Sequence, residues 1–219
     1  LAAIAHGAGA RLLVDSTFAP PTLQRPLALG ADVVMQSATK YLGGHGDLMG
    51  GVLSFADDGE HAAACHGQRL LGGATASPFA AWMILRGLRS LPARMDWHCR
   101  NAMAVARWLA AHRRVDKVHY PGLDSHAGHA VAARQMHGGF GGMLSFEVAG
   151  GREAALAVAS RLRLFTNATS LGSTESLVEH RASIEGPLST SPPSLLRLSV
   201  GLEHIDDLLA DLDQALAAD

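Results

Sequence analysis

Apolar residues in the first ninety positions fall into short continuous blocks, each closed by a polar residue: RLLVD at 11–15, ADVVMQ at 31–36 and VLSF at 52–55. Blocks of this length without alternation predict buried strands, and polar loops at their carboxyl ends predict an α/β sheet. Residues 1–8 read as the last turns of a helix, stopped by Gly7 and Gly9. Ser77-Pro78 predicts a helix start, with Ser as cap and Pro at the first helical position, and Pro92 predicts its stop after Leu91. A second amphipathic helix is expected from about Asp96 to His112, with Trp97, Ala104, Val105, Trp108 and Leu109 on one face.

The pattern then changes. KVHYP at 117–121 reads as a short strand and His126–Met136 as a helix ended by Gly138. GMLSFEV at 142–148 alternates, as a half-buried strand does. A helix is expected at Glu153–Leu162, a strand near Leu164–Thr166 and, after a loop, a strand in LLRLSV at 195–200. In the last helix Ile205, Leu208, Leu209, Leu212 and Leu216 form one stripe. These elements predict a smaller α+β domain, with the boundary near Leu91–Met95. There is no internal repeat.

Composition narrows the function classes. In 219 residues, 48% are hydrophobic and 17% charged, which suits a packed core in one large domain or two modest ones. The formal charge of −2 gives no sign of a nucleic-acid patch or a polybasic membrane anchor. No apolar run approaches the roughly 20 residues of a spanning helix. Cys65 and Cys99 form no CxxC pair, which favours a reducing compartment over a disulfide framework. There are 16 arginines but two lysines, so lysine chemistry has two candidates, Lys40 and Lys117. The chain opens on Leu1 inside a helix ending and carries no signal peptide, so a preceding N-terminal part is expected.

Several residues carry candidate chemistry. Asp15 closes the first block, where a carboxylate needs a partner; it serves either as a loop organiser or as counter-ion to a cationic ligand group. Lys40 follows directly on Val33, Val34 and Met35, and desolvation there would make its amine nucleophilic. Ser37 and Thr39 place hydroxyls suited to phosphate on alternate positions beside it. The plain alternative is a strand end with a surface lysine, and spacing alone leaves that alternative ahead. The cluster Gly43-Gly44-His45-Gly46-Asp47 is neither a Walker A motif nor a GxGxxG fingerprint. His126 and His129 belong to a helix start, and with no HExxH and no cysteine pair no metal site is expected. Arg197 sits inside an apolar strand and must be paired. Its partner is a structural carboxylate (Glu175, Glu179 or Glu203) or a substrate carboxylate held in a two-pronged clamp.

In chain order, VDSTFAPPTLQRPLALGADVVMQSATKYLGGHGD at 14–47, HYPGL at 119–123, GGMLSFEV at 141–148, SLGSTESLVEH at 170–180 and LLRLSVGLE at 195–203 carry a resemblance. Together they resemble the Cys/Met-metabolism, or trans-sulfuration, family of pyridoxal-phosphate (PLP) enzymes, which includes cystathionine γ-synthase, cystathionine lyases, methionine γ-lyase and homoserine-ester sulfhydrylases. SATKYLGGH is the most specific segment. The resemblance implies a fold-type I transferase: residues 1–92 as the C-terminal portion of the PLP-binding large domain, and residues 93–219 as the small C-terminal α+β domain. It implies pyridoxal 5'-phosphate as cofactor. Lys40 would form the Schiff base (a lysine aldimine) with the cofactor aldehyde and shuttle protons. Asp15 would pair with the pyridinium nitrogen, Ser37 and Thr39 would bind the phosphate, and Thr17 would lie near the ring. Arg197, with Ser170 close by, would hold the substrate α-carboxylate. The implied reaction is elimination or replacement at Cβ or Cγ of cystathionine, methionine, cysteine or an O-acyl-homoserine. The implied partners are a small amino-acid substrate and other copies of the chain, in a tetramer of shared-site dimers, with no nucleic acid and no membrane; the location is cytoplasmic.

The chain departs from the family pattern at three places. The family's N-terminal portion, with about half of the cofactor site, is not in this sequence. Thr169 stands where many cystathionine-processing members have Glu. The loop 180–194 is short and reads RASIEGP where many members have a PASMTH-like stretch. Two alternatives follow: a non-catalytic truncated member that acts only as an oligomerising subunit, and a fold relative performing transamination. The intact Asp15, Ser37, Thr39, Lys40 and Arg197 speak against the first, and the segments around Ser170–Glu175 and Arg197 against the second.

Overall fold

The computed structural model describes residues 1–217, and its first unit, Leu1–Leu91, is built on a sheet of order β1-β2-β3. β1 (Leu13–Asp15) pairs parallel with β2 (Val33–Ser37), with Asp15 opposite Met35, and β2 pairs antiparallel with β3 (Gly51–Phe55). The central β2 is buried as expected, enclosing Val33, Val34 and Gln36. The outer two are not: Leu13 is 57% and Leu53 46% exposed. Both lie in the outer strands of this three-stranded sheet. α1 (Ala2–Gly7) precedes the sheet and α2 (Glu60–Leu71) follows it. The sequence pattern does not predict α2, which buries none of its residues within this chain.

α3 (Pro78–Ala110) starts where the Ser-Pro signal predicts, with the Ala80 N–H donating to Ser77 Oγ at 3.1 Å. It does not stop at Pro92. The ring removes a single N–H, and the carbonyl that loses it belongs to Leu88, a residue 36% exposed and so within reach of water. The boundary between the units, at Leu91 and Pro92, falls inside this helix.

The second unit, from Pro92 on, holds a five-stranded sheet of order β4-β5-β8-β7-β6. Its strands are β4 (Val115–His119), β5 (Met143–Val148), β6 (Thr166–Asn167), β7 (Leu177–His180) and β8 (Leu195–Ser199), antiparallel except for β6 with β7. Its remaining helices are α4 (His129–Gln135), α5 (Gly151–Arg161), α6 (Arg181–Glu185) and α7 (Ile205–Ala217). One core joins Leu144, Phe146 and Val148 of β5 to Leu196 and Leu198 of β8, Val158 of α5 and Leu208, Leu212 and Leu216 of α7. The second half of α3 adds Ala102, Val105, Ala106 and Leu109. Trp97 is not on that face. It is 42% exposed under the Arg100 guanidinium, and small alanines and Cys99 take the buried positions instead.

Buried polar groups fix this unit's geometry. His98 Nδ1 donates to the Val200 carbonyl at 2.7 Å, and Asn101 Nδ2 donates to the carbonyls of Gly201 and Glu203. The buried Asp211 of α7 accepts the N–H groups of Arg163, Leu164 and Phe165, the turn that leads into β6. No helix among the described residues is long and apolar enough to cross a membrane.

Candidate active site

The carboxyl ends of parallel strands are where α/β sheets place ligands, and β1 and β2 bring five of the sequence-selected residues there. β2 runs straight into a wide turn, Ala38–Leu42, closed by the Gly43 N–H donating to the Ala38 carbonyl at 2.9 Å. Ala38, Tyr41 and Leu42 anchor the turn by burial. Lys40 is its irregular member, with φ −93° and ψ −130°, and is half-buried. Lys117, the other lysine, is exposed on the edge strand β4.

The neighbours of Lys40 are held through the backbone. Gly50 N–H donates to Thr39 Oγ1 at 3.0 Å, and that hydroxyl makes a long 3.4 Å bond to the Gly50 carbonyl. Ser37 N–H donates to Thr17 Oγ1 at 2.9 Å, which ties the loop after β1 to the end of β2. The Ser37 hydroxyl has no partner among the described residues. Asp15 is exposed rather than buried. Its Oδ1 accepts the Thr17 N–H at 2.9 Å, so it does organise the loop, while Oδ2 has no partner among the described residues. A half-buried amine, two hydroxyls and a carboxylate with an open oxygen form a donor set that fits a ligand with an aldehyde, a phosphate and a cationic ring nitrogen. Pyridoxal 5'-phosphate is such a ligand.

The second unit holds the other candidates. The β7–β8 register sets Glu179 opposite Arg197, and Arg197 Nη2 donates to Glu179 Oε2 at 2.6 Å and to the Ser170 carbonyl at 3.1 Å. Of the three acids that sequence left open, Glu179 is therefore the partner. Burial holds the Arg197 pKa below the usual arginine value, and the Glu179 charge opposes that shift. Ser170 has φ +105°, in the left-handed region that a serine seldom occupies. The segment after it is pinned by the Gly172 N–H donating to Ser199 Oγ at 2.9 Å. Glu203 accepts both the N–H and the hydroxyl of Ser176, and Ser176 Oγ in turn accepts the Gly201 N–H. Gly201 permits this closeness, since a Cβ there would lie 2.3 Å from the Thr174 carbonyl oxygen.

One residue that positions the site escaped the sequence reading, and one pairing was left open in it. Gly87 of α3 lies against the Lys40 turn, and a Cβ on it would meet the carbonyl oxygens of Leu42 and Gly43 at 2.4 Å. An isolated glycine within a helical pattern is the signal that marks such an approach. The pairing of Glu179 with Arg197 needed the strand register, which sequence spacing does not contain.

The comparisons with known proteins agree with this chemistry. A family model described as Cys/Met metabolism PLP-dependent enzyme matches residues 1–217. Cystathionine gamma-synthase of Mycobacterium tuberculosis is 51% identical over 215 residues, covering 94% of this chain and 54% of that protein. The crystal structure of metB from Corynebacterium glutamicum superposes with a TM-score of 0.95 at 45% identity, over 99% of this chain and 57% of that one. Apo CalE6, a methionine gamma lyase from Micromonospora echinospora, superposes with a TM-score of 0.92 at 41% identity, over 100% of this chain and 58% of that one. The chain thus spans a little over half the length of these relatives. With the match running from residue 1 to residue 217, this chain belongs to the Cys/Met metabolism family of PLP-dependent enzymes.

Proposed function

We propose that the protein containing this chain is a PLP-dependent lyase or transferase of sulfur amino acid metabolism, which eliminates or replaces a group at Cβ or Cγ of its substrate. The observation that carries the reading is the irregular turn holding Lys40 at the carboxyl end of β2, beside Asp15, Ser37 and Thr39. In this reading Lys40 holds the cofactor aldehyde through its amine and then moves the proton of the substrate Cα. The open Oδ2 of Asp15 pairs with the ring nitrogen. Ser37 Oγ binds the phosphate, and Thr39 Oγ1 joins it by exchanging its long bond to Gly50. Thr17 sets the spacing of the two strand ends next to the ring. Arg197 binds the substrate α-carboxylate and Ser170 borders it. When bound, PLP supplies an electron sink for negative charge at Cα.

The proposed substrate classes are cystathionine, methionine, cysteine and acyl-homoserines. The named activities of the relatives, a synthase and a lyase, support both replacement and elimination. Residues 1–92 then belong to the large PLP-binding domain and 93–219 to the small one. The reading extends to a cytoplasmic homotetramer; the exposed, stacked Phe79 and Trp82 support an assembly contact.

The test is borohydride reduction of the complete protein with PLP, followed by peptide mapping. The expected result is a yellow protein whose reduced cofactor maps to Lys40, with turnover of one of the four substrate classes that Lys40→Ala abolishes. A colourless protein that ignores added PLP, or a Lys40→Ala variant that turns over at the wild-type rate, overturns the proposal.

A further inference from the structure

Arg197 does not stand alone, and its surroundings point to a residue with a role of its own. Glu179 is 2% exposed, and a carboxylate so enclosed persists as a charge only when it is fully paired. Its two oxygens are divided between two arginines. Oε2 accepts Arg197 Nη2 at 2.6 Å, and Oε1 accepts Arg181 Nη1 at 2.5 Å. Arg181 is itself held from the far side, where Nε and Nη2 donate to Glu185 Oε1 at 3.1 and 2.6 Å. Glu185 in turn accepts the hydroxyls of Ser189 and Ser191. The chain of contacts from this loop to Arg197 is unbroken, and Glu179 is its pivot.

The consequence lies in which arginine hydrogens are engaged. Both hydrogens of Arg197 Nη2 are taken, one by Glu179 and one by the Ser170 carbonyl. Nε and Nη1 have no partner among the described residues. One nitrogen thus fixes the plane of the guanidinium while the other two present their hydrogens. A floppy arginine would lose rotamer entropy on binding a carboxylate, whereas one held this way has already lost it. Arg181 matters because it takes the second oxygen of Glu179. The buried carboxylate is satisfied without closing on Arg197 with both oxygens and neutralising it.

We propose that Glu179, shared with Arg181, is the positioning residue that orients Arg197 and sets the affinity for the α-carboxylate of the amino acid. The inference rests on the reading of Arg197 given above and adds the two residues that tune it. Glu179 touches no reacting atom in this scheme; it acts through Arg197.

The experiment compares two ligands on the complete PLP-loaded protein, followed through the absorbance of the bound cofactor. L-norleucine has an α-carboxylate and no leaving group, and pentylamine is the same molecule without the carboxylate. Glu179→Ala is expected to weaken L-norleucine about tenfold and to leave pentylamine within about twofold. Glu179→Gln keeps an oxygen acceptor opposite Arg197 and is expected to recover most of the loss. Arg181→Ala lets Glu179 close on Arg197 and is expected to weaken L-norleucine about fivefold with pentylamine unchanged. Arg181 is partly exposed, so this variant keeps the test decisive where Glu179→Ala does not fold. An unchanged ratio of the two ligands in the Glu179 and Arg181 variants, with that ratio lost in Arg197→Ala, overturns the positioning role and leaves Arg197 in place. An unchanged ratio in Arg197→Ala overturns the carboxylate assignment of Arg197 and this inference with it.

Discussion

Gly87→Ala tests whether the Lys40 turn is held by the helix packed against it. The added methyl would start 2.4 Å from the carbonyl oxygens of Leu42 and Gly43, so helix or turn must move by at least about 0.6 Å to reach a distance that real contacts show. Overpacking of this kind costs about 1–3 kcal/mol. The change from Gly to Ala inside a helix returns about 1 kcal/mol. The net loss of stability is therefore about 0–2 kcal/mol, a few degrees in Tm. The effect on chemistry is larger. Lys40 lies two residues before Leu42 in the same turn, and a misplacement approaching 1 Å at a reacting group costs on the order of 100-fold in rate. The expectation is a folded protein whose circular dichroism melt falls by no more than a few degrees, but with kcat and the rate of borohydride trapping at Lys40 reduced about 10- to 100-fold. Gly67→Ala is the control: it lies in α2 with nothing within 4 Å of the new methyl, and is expected to gain about 1 kcal/mol with no change in activity. If Gly87→Ala keeps wild-type trapping and kcat, the close approach has no bearing on Lys40 and the reasoning fails.

Two further predictions concern the second unit. Asp211→Ala removes the acceptor shared by three N–H groups; Arg163 and Leu164 are exposed enough to rehydrate, but the N–H of the buried Phe165 is not. The expected cost is about 2–4 kcal/mol, read as a lower urea midpoint at unchanged slope. His98 is kept neutral in the fold, its pKa pushed down to about 4 first by burial, with Arg94 adding to the shift and the bond to Val200 opposing it. Between about pH 6.5 and pH 4 the unfolded chain therefore binds the proton and the folded one does not. Stability should fall through that window as pH drops, by on the order of 3 kcal/mol, and level off below pH 4. Urea midpoints at pH 7.5 and 4.5 measure it, and His98→Gln should flatten this part of the slope.

Where a residue's partner is close in sequence or its period is regular, the pattern was sufficient. The leucine stripe of α7, the alternation of β5 and the strand end before Lys40 all appear in the structure as the sequence implies. The α/β architecture, with a second sheet of mostly antiparallel strands, follows from them. The misses have separate causes. α2 buries none of its residues within this chain, so no core contact marks it. β7 encloses Glu179 and His180, polar residues that mask a buried strand; His180 is satisfied by Ser183 and the Pro193 carbonyl. Pro92 stays helical because its ring removes one hydrogen bond of many in a 33-residue helix. In the candidate site, rarity and context singled out Lys40 as a candidate but its role came only with the SATKYLGGH resemblance, whereas the Glu179–Arg197 pair depended on register and the Gly87 contact on tertiary packing.

The strand order of the second unit also constrains how that unit can form. β4 and β5 are neighbours in the sheet and can meet early, but β6 and β7 join β5 only through β8, the central strand, which comes after all of them in the chain. Bringing β8 onto β5 closes a loop of roughly 50 residues, an entropic cost of about 3.5 kcal/mol before any contact is made. During synthesis the sheet therefore cannot grow strand by strand as the ribosome delivers it. Residues 143–180 must wait, partly unpaired, until Ser199 has emerged, and that interval is when this unit is most open to chaperones and to aggregation.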